Sequence, residues 1–258
     1  MGKPFFTADW HLDHARILTY CRRLEFMNEE EKQNFLQTEA LWKSGEVEYQ
    51  AMRSLQYSRE TVDRMNNSII DNTNAVVGKC DDLWIVGDIH FGSIGKLKHL
   101  LDRVVCRNIH IVWGNHDKNL RSLMYSDRFC RNLLESFLGG DVSQEAVRER
   151  WEKYEIEQTD RRILEGMFRS FHDTAMIRWK GQKIFVSHTA HAVWDKSNRG
   201  VWHCYGHSHG NFESWREQHM PNAKMVDVGI DNRAQLGYGY TPWTFEELKK
   251  FMDGRSGK

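Results

Sequence analysis

Five short apolar runs in this chain each stop abruptly at a cluster of Asp, His and Asn. Residues 4–8 end at Asp9 and His11, and residues 83–86 end at Gly87-Asp88. Residues 109–113 end at Gly114-Asn115-His116-Asp117, 183–187 at His188, and 201–205 at Gly206-His207-Ser208-His209. Runs this short, rich in Val, Ile, Phe and Trp and closed by Gly or a polar turn, read as buried strands. Residues 175–179 and 225–228 read as two more, with Gly181-Gln182 as a hairpin turn before Lys183. Helical spacing lies between the strands: Val62, Met65, Ile69 and Ile70 before the second run, and Ile94, Leu97, Leu100 and Leu101 before the third. Alternation of this kind predicts an α/β layered fold, and the paired late strands make part of the sheet antiparallel. Thr244 and Glu247 have capping-box spacing and open a final helix through Phe251.

Two stretches read as insertions into that body, which is taken as one domain over residues 1–258. Residues 27–57 are polar with apolar points at Phe35, Leu36, Leu41 and Trp42. Residues 119–171 carry one helical stripe at Val147, Trp151 and Tyr154 and another at Ile163, Met167, Phe168 and Phe171. The second insertion reads as a helical excursion, either a cap over a cleft or a solvated hairpin. Arg161-Arg162 and Arg22-Arg23 read as solvated faces, and Trp10 and Trp194 as core.

Composition excludes several classes. Lys plus Arg and Asp plus Glu each number 36, so net charge is zero and a protein that coats nucleic acid or anionic membrane is disfavoured. Five scattered cysteines without a CxxC pair indicate a reducing compartment rather than a disulfide framework. With neither a membrane-length apolar run nor a signal-peptide pattern, the expectation is a cytoplasmic protein without a membrane partner.

The chemistry sits at the strand ends. Asp9, His11, Asp88, Asn115, His188, His207 and His209 make seven candidate ligands, and carboxylate with neutral imidazole suits Mn, Fe, Co, Ni or Zn. Seven is too many for one ion and suits two bridged by one carboxylate. In parallel α/β sheets such residues gather outside the carboxyl ends of the strands. The i,i+2 spacing of Asp9 with His11, and of His207 with His209, points each pair the same way off an extended segment.

In order, DxH, GD, GNHD, H and GHxH, these blocks resemble the calcineurin-like metallophosphoesterases across residues 4–231, the two insertions excepted. An extended first block, Asp9-Trp10-His11-Leu12-Asp13-His14, and a late Asp227-Val228-Gly229-Ile230-Asp231 are similar to a compact bacterial and phage branch of that family. The resemblance implies a four-layer sandwich of two mixed sheets with helices outside. It implies two divalent transition-metal ions, manganese foremost, with Fe, Ni, Co or Zn as alternatives. It implies Asp9, His11 and His209 on the first ion, Asn115, His188 and His207 on the second, and Asp88 bridging. It further implies hydrolysis of a phosphate ester by a metal-bridging hydroxide, with His116 near the leaving oxygen and Asp117 anchoring the loop or orienting a histidine. His14, Arg16 and His191 are candidate substrate contacts. The leading substrate reading is a nucleotide-type phosphodiester. The alternative is a phosphomonoester of a nucleotide or small metabolite, and a non-catalytic interaction scaffold stands third.

Overall fold

The computed structural model of the chain describes residues 2–125 and 144–255. Its strands form two mixed sheets. The first contains β1 (Pro4–Thr7), β2 (Asp82–Val86), β3 (Asn108–Val112), β4 (Ser170–His172) and β9 (Trp243–Thr244) in the order β4-β3-β2-β1-β9. Strands β1 to β4 are parallel, and β9 closes the edge antiparallel to β1. The second sheet runs β5 (Thr174–Trp179), β6 (Gln182–Ser187), β7 (Trp202–Tyr205) and β8 (Met225–Asp227), with only β5 antiparallel.

Strand alternation builds the layers. Phe6, Val86 and Val112 of the first sheet meet Ile184, Val186, Cys204 and Val226 of the second. Their neighbours Phe5, Ile85 and Ile111 turn the other way, onto Val62, Met65 and Ile69 of the helix Arg59–Val76 and Leu97 of the helix Ile94–Leu101. On the outer face of the second sheet, Tyr205 and Met225 pack with Phe212 and Met220, which flank the helix Glu213–His219. The order of layers is helix, sheet, sheet, helix. The expected capping box of Thr244 with Glu247 is present, and its helix runs Phe245–Asp253.

Several local expectations shift. The hairpin turn is Lys180-Gly181, both at positive φ (46° and 84°), and Gln182 already pairs with Trp179 in the ladder. A two-residue turn with positive φ at both positions matches the twist of the flanking strands. Phe171 belongs to no helical stripe: the helix Gln144–Met167 ends before it, and Ser170–His172 joins β3 as a parallel edge. Arg23 is no solvated face, because its side chain is wholly buried. The segment 27–57 forms the helices Glu29–Lys43 and Tyr49–Arg53. Phe35 and Met52 from this segment enter the main core, while Leu36 and Trp42 stay at the surface. Within 119–171, Leu164 and Phe168 are buried and Trp151 is exposed. Residues 126–143, and the side chain of Val147, lie outside the described residues. Among the described residues no helix is long and apolar enough to cross a membrane, and Cys21, Cys80, Cys106 and Cys204 are free thiols.

Candidate metal centre

All five polar clusters leave the carboxyl ends of strands: β1, β2 and β3 in one sheet, β6 and β7 in the other. The loops then bond to one another. Asp9 N–H donates to the Gly87 carbonyl, His11 N–H to the Asp88 carbonyl, and Gly206 N–H to the His188 carbonyl. The result is two compact groups. Ligand atoms of Asp9, His11 and His209 lie within 4.8 Å of one another, and so do those of Asp88, His188 and His207. Asn115 joins the second group through its Oδ1, 2.9 Å from His188 Nε2.

The extended-segment argument for the i,i+2 pairs does not hold. Asp9 (φ 57°), His11 (50°), Asp88 (52°), His207 (71°) and His209 (49°) all sit in the left-handed region. Asp9 and His11 still converge, but His207 and His209 fall into different groups. Such conformations cost on the order of 1–3 kcal/mol each in side-chain-bearing residues and persist where surroundings over-determine them. The surroundings here include glycines with no room for a side chain. A Cβ on Gly114 would lie 2.1 Å from Asp88 Oδ1, and one on Gly87 2.3 Å from His188 Nδ1.

Carboxylates orient the loops. Asp117 is buried and accepts from the N–H groups of Asp88 (2.9 Å), Ile89 (3.1 Å) and Gly114 (2.8 Å), so it ties the β2 and β3 loops together. Both Asp9 oxygens accept from His207 N–H at 3.1 and 2.9 Å. His209 Nδ1 lies 2.7 Å from Asp231 Oδ2, a carboxylate–imidazole pairing that leaves Nε2 for a ligand role. His188 Nδ1 donates to the Val86 carbonyl at 2.8 Å, which likewise leaves Nε2 facing the cluster.

Arg23 stands behind this arrangement and had no signal in the sequence beyond a dibasic pair. It makes a two-point ion pair with Asp231 (2.7 and 2.9 Å) and donates to the carbonyls of Trp10 (3.0 Å) and Asp9 (2.8 Å). Asp231 and Asp227 were visible in the late Asp-Val-Gly-x-Asp spacing. Asp227 accepts from Ser208 Oγ, Gly210 N–H and Gly229 N–H, holding the histidine loop from below. Cys21 forms a third close group with His209 and Asp231, but that carboxylate is already engaged by Arg23. Phe91, also unforeseen, stacks on His14 at 3.9 Å between ring centroids and touches His116 at 4.9 Å.

The other candidates separate. His116 is exposed at the rim, with its N–H donating to Asp88 Oδ1 at 2.8 Å. His14 reaches His11. Arg16 is exposed at the start of the short helix Ile17–Tyr20. His191 packs instead on Phe185 and His203, and its N–H donates to His203 Nε2. A cavity of about 450 Å³ opens beside His209, lined among others by Tyr20, Cys21, Asn211 and Tyr240.

The charges fit a cation. His11 Nε2 is buried, lacks a hydrogen-bond partner among the described residues, and lies 3.7 Å from Asp88 Oδ2. Burial drives the His11 pKa far down, so the ring is neutral and ligand-competent. Burial raises Asp9 to about 7 despite His209 and His188 nearby. Burial opposes charge on His188 and His209 too, but Asp88 and Asp9 lift His188 to about 9, and Asp231 lifts His209 to about 11. Protons thus supply the positive charge that the carboxylates require.

A comparison with models of known families finds no match, and one with curated proteins finds none either. Among solved structures, the chain is similar to the protein of unknown function AQ665 from Aquifex aeolicus, with a TM-score of 0.54 and 15% identity over 97% of this chain and 100% of that one. At that identity the likeness is one of fold.

Two outcomes follow from this geometry. Arg23→Met removes the two-point partner of Asp231, leaves that buried carboxylate to His209 alone and strands the carbonyls of Asp9 and Trp10, so urea denaturation should show a loss of about 3–5 kcal/mol; a loss under about 1 kcal/mol would contradict the role given to Arg23. A divalent cation must displace the protons held by Asp9, His188 and His209, so Mn²⁺ affinity should rise as pH climbs through 7 and 9 and toward 11. Calorimetry in buffers of different ionisation enthalpy should register proton release; pH-independent affinity without release would contradict the assignment.

Proposed function

We propose that the chain is a dinuclear metal-dependent phosphoesterase of the calcineurin-like kind. One observation carries the reading: Asp88 Oδ2 lies 3.7 Å from His11 Nε2 and 3.4 Å from His188 Nε2, so one carboxylate is shared by both ligand groups. A shared carboxylate between two sets of imidazole and carboxylate donors is what a pair of transition-metal ions requires. Asp9, His11 and His209 would hold one ion, Asn115, His188 and His207 the other, and Asp88 both. Manganese is the leading candidate, with Fe, Co, Ni or Zn as alternatives. Bound there, the ions supply Lewis acidity toward a phosphoryl oxygen and lower the pKa of water.

The chain's own residues do the rest. Asp117 holds the β2 and β3 loops, and Asp88 and Asn115 both come against His188 Nε2. Asp231 and Arg23 fix the ring of His209. His116 is anchored through its backbone to Asp88 and its ring lies 4.9 Å from that of Phe91; on this reading its imidazole would give a proton to the leaving oxygen. The complete donor set on the first ion, His11 included, supports a phosphodiester as substrate. The neighbouring cavity of about 450 Å³ supports one of nucleotide size. Zero net charge weighs against extended nucleic-acid binding.

The test is Mn²⁺-dependent hydrolysis of bis(4-nitrophenyl) phosphate beside 4-nitrophenyl phosphate. The diester should turn over faster, Asp88→Asn should abolish turnover, and His116→Gln should retain metal and lose about 10²–10⁴-fold in kcat. Turnover of the monoester alone would replace the diesterase with a phosphatase. Full activity of Asp88→Asn would overturn the dinuclear reading.

A further inference from the structure

His11 Nδ1 and His14 Nδ1 lie 3.1 Å apart. Two ring nitrogens at that separation form a hydrogen bond only if one carries a proton and the other is bare. The other nitrogen of His11, Nε2, is the buried atom without a partner that faces Asp88. On the dinuclear reading above, on which this step rests, that nitrogen must offer a lone pair. A neutral imidazole has one proton, so it must sit on His11 Nδ1. His14 Nδ1 is then the acceptor, and the proton of neutral His14 must sit on Nε2.

The surroundings hold His14 in this role. Its ring lies parallel to Phe91, with centroids 3.9 Å apart and planes 14° apart, and Tyr20 approaches edge-on at 6.2 Å. The residue is only partly buried, and Nε2, on the side of the ring away from His11, has no hydrogen-bond partner among the described residues. Metal-binding histidines usually donate their second N–H to a carboxylate, a carbonyl or water. His209 and His188 do so, toward Asp231 and the Val86 carbonyl. His11 has an imidazole in that place instead. An imidazole acceptor has a consequence that a carboxylate lacks, because it passes the choice of tautomer on to its own far side.

We propose that His14 is a positioning residue: by accepting from His11 Nδ1–H it keeps the proton of His11 on that nitrogen and leaves the Nε2 lone pair facing Asp88. No bond is made or broken at His14. It acts on metal affinity through His11.

Two substitutions test the role of the acceptor. His14→Asn keeps an acceptor oxygen near the Nδ1 position and removes the Nε2–H. His14→Leu keeps apolar contact with Phe91 and removes both. By calorimetry, His14→Leu should bind Mn²⁺ about 10–100-fold more weakly than wild type, with His14→Asn near wild type. Long-range ¹H–¹⁵N spectra of the metal-free, histidine-labelled wild-type chain should show His11 as the Nδ1–H tautomer and His14 as Nε2–H, a readout that needs neither variant to fold. Wild-type affinity in His14→Leu, or an Nε2–H tautomer of His11, would overturn the assignment while leaving the metal centre intact. Failure of the wild type to bind Mn²⁺ would instead overturn the dinuclear reading.

Discussion

The buried guanidinium of Arg23 is the point at which the loops of both sheets are held. It bonds the carbonyls that follow β1 and the carboxylate of Asp231 that follows β8, and through Asp231 it reaches His209 beyond β7. Burial works against the charge of Asp231, yet Arg23 and His209 outweigh it and hold that carboxyl at about 2. A fully desolvated ion pair is weak as a source of net stability and strong as a constraint, because removing either partner strands the other. Here the constraint is spent on geometry. Asp9 and His209 belong to different sheets, and the chain from Arg23 to Asp231 sets how they face each other.

The loops around that anchor are strained in a consistent way. Five of the seven candidate ligands occupy left-handed backbone, and each is pinned by backbone bonds to a neighbouring loop or by a carboxylate beneath it. Gly114 shows how tightly the loops close, since even a methyl group would collide with the Asp88 carboxylate. The cost of that backbone is spread over the contacts that the two-sheet core makes elsewhere. The concentration of strain at the strand ends, away from the alternating strands themselves, marks where the fold is specialised.

Much of this was legible in the sequence because it is local. A run such as 83–86 closed by Gly87-Asp88 carries its strand, its stop and its candidate ligand within a few residues, and the same holds for His188 and for Asn115. The helix Arg59–Val76 announces itself through Val62, Met65 and Ile69. What stayed hidden depends on distant partners. Ser170–His172 is a strand only because β3 offers an edge, and Phe171 reads equally well on a helix. Arg23 looks like any surface arginine until Asp231, far along the chain, is brought against it. The i,i+2 pairs misled for a different reason: their side chains are aimed by left-handed backbone, which a period of two cannot reveal. His191 carries a ligand-type side chain near His188, yet it packs on Phe185 and His203, and nothing in its local sequence distinguishes the two fates.

The central claim is that one carboxylate, Asp88, joins two ligand groups into a single two-ion centre. Anomalous diffraction from crystals of the full chain grown with Mn²⁺ tests it most directly. The account predicts two anomalous peaks flanking the Asp88 carboxylate, one against Asp9, His11 and His209 and the other against Asn115, His188 and His207. A single peak, or two peaks with Asp88 outside the coordination of either, would contradict it.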